Sequence, residues 1–169
     1  VTFEADLEQR SLVITTETGM YKMAVDPPDD FPALPTSNDA EIMVPVERLM
    51  SGINYTIFAT TSDEMRPAMT GVNVVVDFNK ISFVASDGHK LVRYHALGTS
   101  TEQTGSFVIP KKAMSLLKGA TPSEGNVYLK YNKSHAFFRF EETEVFCRLI
   151  NQAYPYFNAV ISVNNKNVL

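Results

Sequence analysis

The chain has 169 residues, 44% hydrophobic and 20% charged, with a net charge of −4, which supplies a core for one ordinary domain or a domain with parts of its neighbours. It has no run of about eighteen apolar residues, and its first residues have neither the basic lead nor the apolar stretch of a signal peptide, so membrane insertion and secretion are disfavoured. The single cysteine, Cys147, excludes an intrachain disulfide and fits a reducing, cytoplasmic setting as a buried strand thiol.

Residues 1–5, 12–16 and 21–25 read as three strands, followed by a Pro- and Asp-rich linker over 26–39. Residues 41–45 (EIMVP) read as a short strand leading into Val46, Leu49, Met50, Ile53 and Ile57, the three-and-four spacing of an amphipathic helix, with Pro45 expected in its first turn. Three strands follow at 71–78, 81–86 and 90–97, rich in valine, isoleucine and aromatic residues as half-buried sheet requires. The sentence is then repeated. Residues 106–110 (SFVIP) lead into a helix with Ala113, Met114, Leu116, Leu117 and Ala120 as its apolar positions, and strands follow at 126–131, 136–140 and 144–150.

Pro45 and Pro110 are 65 residues apart, while the aromatic-proline pairs Phe31-Pro32 and Tyr154-Pro155 recur at 123 residues, about twice that period. The unit is therefore an α+β domain of two strand-helix-three-strand halves, and such domains follow one another in tandem. Residues 1–39 are expected to close a preceding domain, 40–162 to form one whole domain, and 163–169 to open the next. Val1 falls inside a strand-like run, so the chain is expected to be a stretch of a longer protein. The opening strands, without their half-domain, should pair with another chain or pack poorly.

The three histidines His89, His95 and His135 have no cysteine or carboxylate at metal-ligand spacing. No phosphate loop, nucleophile elbow or glycosidase-like acid pair is present, and no metal or cofactor is expected. The acid pairs Asp29-Asp30, Asp63-Glu64 and Glu141-Glu142 fall in predicted loops and read as solvated surface. The helical stretches 46–58 and 110–120 carry Arg48, Lys111, Lys112 and Lys118 against Glu47, a balance of +3 that leaves −7 for the remainder. Lys111 and Lys112 sit where the helix dipole disfavours cations by roughly 0.3–1 kcal/mol. Two readings stand: ordinary solvated lysines, or lysines that grip phosphate together with the free helix N–H groups. Asp87-Gly88 between two apolar runs reads as a two-residue hairpin turn, with Asp87 and His89 lacking the third member of a triad.

The strings RPAMTGV (66–72), ASDGHKLVRY (85–94), FVIPKKAM (107–114) and YPYFNAVI (154–161) occur in this order, and together they resemble the bacterial sliding clamps, the beta subunits of DNA polymerase III. The resemblance covers 40–162 as the middle of three domains and 1–39 as the end of the first. It implies a DNA-clamp fold with antiparallel sheets outside and two helices on one face. Two subunits would form a ring around duplex DNA and act as a processivity factor. Lys111, Lys112, Lys118 and Arg48 would then face the phosphates without reading bases. It further implies a pocket for linear peptides of the polymerase III alpha subunit, the clamp loader and repair polymerases. This chain's wall of that pocket would be Met69, Ser86, Gly88, His89, Lys90, Leu91, Pro155 and Val160, with Arg66 at its edge. Many members carry an arginine where this chain has Ala159. Two other readings make different demands. An enzyme using Asp87 and His89 requires a further acid, base or metal in a closed cleft, and a plain interaction domain requires no clustering of the helical cations.

Overall fold

The computed structural model describes residues 1–36, 39–99 and 101–161, so the stretch 163–169, expected to open a further domain, lies outside the described residues. The chain divides into two compact units, Val1–Thr36 and Ser37–Leu169. The first is an antiparallel meander of β1 (Thr2–Asp6), β2 (Ser11–Thr16) and β3 (Gly19–Ala24), in that order across the sheet. It buries little: Phe3, Met20 and Tyr21 are 65%, 72% and 57% exposed.

The second unit contains two four-stranded antiparallel sheets and two helices. Its elements follow the repeat: β4 (Ile42–Pro45), α1 (Val46–Thr56), β5 (Gly71–Asp77), β6 (Lys80–Ser86) and β7 (Leu91–Leu97), then β8 (Gly105–Pro110), α2 (Lys111–Ala120), β9 (Asn126–Tyr131), β10 (His135–Phe140) and β11 (Thr143–Arg148). The sheet orders are β11-β10-β9-β4 and β7-β6-β5-β8. Each half therefore lends its leading strand to the other half's meander, β4 to β9 (Val44 opposite Val127) and β8 to β5 (Ile109 opposite Val72). This exchange gives both three-stranded meanders a fourth strand and binds the halves into one core.

The core is set by the two periodicities. Val72, Val74 and Val76 of β5, Ile81, Phe83 and Ala85 of β6, and Val127, Leu129, Phe138 and Phe140 of the other sheet all point inward. Against them α1 buries Val46, Leu49 and Ile53, and α2 buries Ala113, Met114 and Leu117; each such large side chain contributes about 1.5–3 kcal/mol on burial. Gly52 lets α1 approach closely, since a Cβ there would stand 2.4 Å from the Phe83 ring. Thr56 and Thr121, also 65 residues apart, close the helices alike, donating their hydroxyls to the Gly52 and Leu117 carbonyls at 2.5 and 2.6 Å.

Two local expectations change. Pro45 and Pro110 are N-caps rather than first-turn residues, with extended ψ of 136° and 142°; each ends a strand, and the missing N–H falls where α1 begins and Val46 donates to the Gly125 carbonyl at 3.0 Å. Leu116, expected among the apolar helix positions, is 60% exposed, because at 3.6 residues per turn it lies roughly 110° from the centre of the face made by Ala113, Met114 and Leu117.

After β11 the chain becomes a strap. Ile150 bridges Val108 of β8, and further along Asn158 accepts from Arg93 of β7 at 3.4 Å. These anchors place the strap across the sheet from β8 to β7, on the face turned from the helices. On the sheet, Asn73, Ser82 and Val84, which alternate with core residues, are themselves only 2%, 4% and 0% exposed.

Candidate functional sites

Lys111 and Lys112 are the first two residues of α2, and Lys118 lies in its last turn. All three are exposed and have no acidic partner among the described residues, whereas Arg48 of α1 contacts Glu47 at 3.3 Å. The two helices pack against each other and turn their apolar faces to the same core, leaving these cations on the solvent side. The Ser115 hydroxyl donates back to the Lys111 carbonyl at 3.1 Å, a bond internal to the helix that leaves the lysine ammonium groups unengaged.

The loop between β6 and β7 is longer than a two-residue turn. Ser86 is paired with Leu91, so Asp87, Gly88, His89 and Lys90 all lie outside the ladder. Gly88 has φ of +92°, and Asp87 is not among the positive-φ residues. The reason is the Asp87 side chain: Oδ1 accepts the backbone N–H groups of His89 and Lys90, both at 2.9 Å, and Oδ2 pairs with the Lys90 ammonium. These bonds, the Lys90 side chain first, hold the Asp87 carboxyl well below the usual carboxylate range. Arg66 braces the loop from outside, donating to the Asp87 carbonyl at 3.1 Å and to Asp63 at 2.9 Å. The Asp87 carboxylate is thus committed to the loop backbone and the Lys90 ammonium, and the His89 ring makes no hydrogen bond among the described residues. No group of three or more His, Cys, Asp or Glu able to hold a metal ion occurs among the described residues.

Three separated segments converge at this loop. Met69, Ser86, Gly88, His89, Lys90, Leu91, Pro155 and Val160 line one open cleft of about 400 Å³. Arg66 stands at its edge, its Nη1 2.8 Å from where a Gly88 Cβ would be. Met69 is brought in by a 3-10 turn (Pro67–Thr70) and Val160 by another (Phe157–Val160). Tyr154, Tyr156 and Phe157 also line the cleft, and sequence reasoning missed them as wall residues although the YPYF run was in view. The Tyr154 hydroxyl is buried and makes no hydrogen bond of normal geometry; burial pushes its pKa up, with the Ser86 backbone opposing. Apolar walls beside exposed turn backbone suit an extended peptide.

Residues 43–156 match the family model described as the DNA polymerase III beta subunit, central domain. The chain belongs to the DNA polymerase III beta-subunit family. It is 29% identical over 164 residues to the beta sliding clamp of Synechocystis sp., a match covering 88% of this chain and 42% of that protein. Against the beta sliding clamp of Staphylococcus epidermidis it is 32% identical over 151 residues, covering 88% and 40%. Among solved structures, the DNA polymerase sliding clamp of Bacillus subtilis superposes with a TM-score of 0.86 at 25% identity, covering 96% of this chain and 43% of that one. The chain thus spans about two fifths of the length of these beta-subunit relatives. The matched central domain falls wholly within the second compact unit, the one that carries both the cleft and the basic helices. In this family member Ala159 is exposed, and the neighbouring Asn158 is tied to Arg93.

Proposed function

We propose that this chain is the central domain and the end of the first domain of a sliding clamp, a non-catalytic processivity factor that encircles duplex DNA and tethers partner proteins through linear peptides. The observation that carries the reading is the convergence of eight residues from three sequence segments on one cleft with apolar walls and a rigid, hydrogen-bonded rim. Met69, Leu91, Pro155 and Val160 would take aliphatic or aromatic anchors. The loop backbone around Gly88 would bond an extended chain. The partners would be the polymerase III alpha subunit, the clamp loader and repair polymerases.

Lys111, Lys112, Lys118 and Arg48 would line the hole and attract phosphates without reading bases, while the acidic remainder resists collapse onto DNA. A ring needs more domains than this chain holds, given how much of its relatives' length it spans. We place domain boundaries near residues 39 and 162 and expect two full-length subunits to close the ring. The experiment is to load the full-length protein on circular DNA and then linearise it. Loss of protein through the free ends supports a ring, and equal retention on circular and linear DNA refutes it.

A further inference from the structure

A second and larger cavity, about 760 Å³, shares Tyr154, Pro155, Tyr156 and Phe157 with the cleft. Both volumes fall within the roughly 300–1,000 Å³ of ligand sites. The second cavity lies where the strap leaves β8. Asn73 of β5 lines it and is 2% exposed. Its Oδ1 accepts the Ser106 hydroxyl at 2.7 Å, while its amide nitrogen has no acceptor among the described residues. This nitrogen is not among the buried side-chain atoms left without a partner, so solvent reaches it and it can donate to water or to a ligand acceptor. Phe107 and Tyr131 form an apolar wall, their rings stacked with centroids 4.4 Å apart.

Charge distinguishes the two cavities. At the cleft, Lys90 is neutralised by Asp87 and Arg66 by Asp63. Lys133 lines the second cavity and has no acidic partner among the described residues. We infer that the second cavity takes the flank of the same linear peptide that the cleft anchors. An aromatic or aliphatic side chain packs against Phe107 and Tyr131, a backbone carbonyl accepts from Asn73 Nδ2, and an acidic side chain meets Lys133. This rests on the peptide reading of the cleft. A peptide is the occupant because it supplies carbonyl acceptors and side chains in alternation, and because the two cavities adjoin the same Tyr154–Phe157 segment, within reach of one extended chain.

The test uses the 169-residue chain, labelled with nitrogen-15, and synthetic peptides. The short probe is an acetylated hexapeptide with leucine and phenylalanine anchors; the long probes extend it by a flank containing phenylalanine and aspartate, at the N-terminus in one and the C-terminus in another. All probes should shift the amides of Ser86–Leu91. One long probe should also shift Asn73, Ser106 and Tyr131–Lys133 and bind several-fold more tightly. Lys133→Glu, on an exposed turn, and Asn73→Ala should each remove the gain while leaving short-probe affinity unchanged. Shifts confined to Ser86–Leu91, with equal affinities, overturn the inference and leave the cleft reading standing. No shift at Ser86–Leu91 with any probe overturns the cleft reading and the inference with it.

Discussion

Gly88→Ala tests how the cleft rim is held. Gly88 has φ of +92°, a conformation that costs an L-residue on the order of 1–2 kcal/mol. Alanine recovers about 0.4–1 kcal/mol of that by restricting the unfolded chain. The new Cβ would stand 2.8 Å from Arg66 Nη1 and 4.0 Å from Met69 Cε. Because the first contact is the end of a flexible side chain, Arg66 should swing away and surrender its bond to the Asp87 carbonyl, an exposed interaction worth roughly 0.5 kcal/mol. The sum is a loss of about 0.5–2 kcal/mol, which at an m-value of about 2 kcal/mol/M lowers the urea midpoint by roughly 0.25–1 M. Gly98 supplies the control: its φ is +80°, but a Cβ there meets nothing within 4 Å. Gly98→Ala should show the backbone cost without the contact. Equilibrium urea unfolding measures both, and amide shifts on titration with the anchor hexapeptide measure the cleft. Gly88→Ala should weaken peptide binding, whereas Gly98→Ala should not. If Gly88→Ala matches the native chain in both assays, or if Gly98→Ala damages the cleft equally, the account of the rim is wrong.

Replacing Lys111, Lys112 and Lys118 together with alanine in the full-length protein should weaken duplex binding and flatten its logarithmic salt dependence by up to about 0.9 per lost phosphate contact; an unchanged slope by fluorescence anisotropy removes these helices from the DNA face. Asp87 should titrate below the ordinary aspartate value of about 3.9, as seen by NMR of its carboxyl carbon. Since its folded pKa is depressed, the loop's stabilisation is fully present above about pH 4 and is lost as pH falls through the folded value. Lys90→Ala should move the midpoint back toward the ordinary one, and an unmoved midpoint would deny Lys90 its role. Burial raises the Cys147 thiol pKa to about 11, so iodoacetamide at pH 8 should label it slowly in the native chain and fast in urea; equal rates would contradict its packing.

Much of the second unit was legible locally. Strand alternation in GVNVVVDF and ISFVAS and the three-and-four spacing of Val46, Leu49 and Ile53 act between residues a few positions apart, and the echo of Pro45 in Pro110 writes the same local pattern again 65 residues on. These patterns placed both helices and all eight strands of the repeat to within two residues of where they lie. The cleft residues around 66–69, 86–91 and 155–160 were reached by resemblance, because no local rule joins segments so far apart. The Asp87 loop was misjudged in length because Asp-Gly favours a two-residue turn, while the side-chain bonds to His89 and Lys90 that favour four residues depend on where β7 begins its pairing.

The sequence by itself determined that two strand-helix-three-strand halves exist and that their helices concentrate the positive charge. Tertiary structure alone decided that the halves exchange their leading strands, since any meander edge offers the same unpaired N–H and C=O groups and the choice of partner rests on which arrangement closes one core. It also decided that the strap from Ile150 to Asn158 crosses the sheet, lining one cavity together with Asn73 and setting Tyr154 and Phe157 as a wall common to two cavities. Those positions follow from contacts at the far ends of the strap, which no periodicity within it encodes.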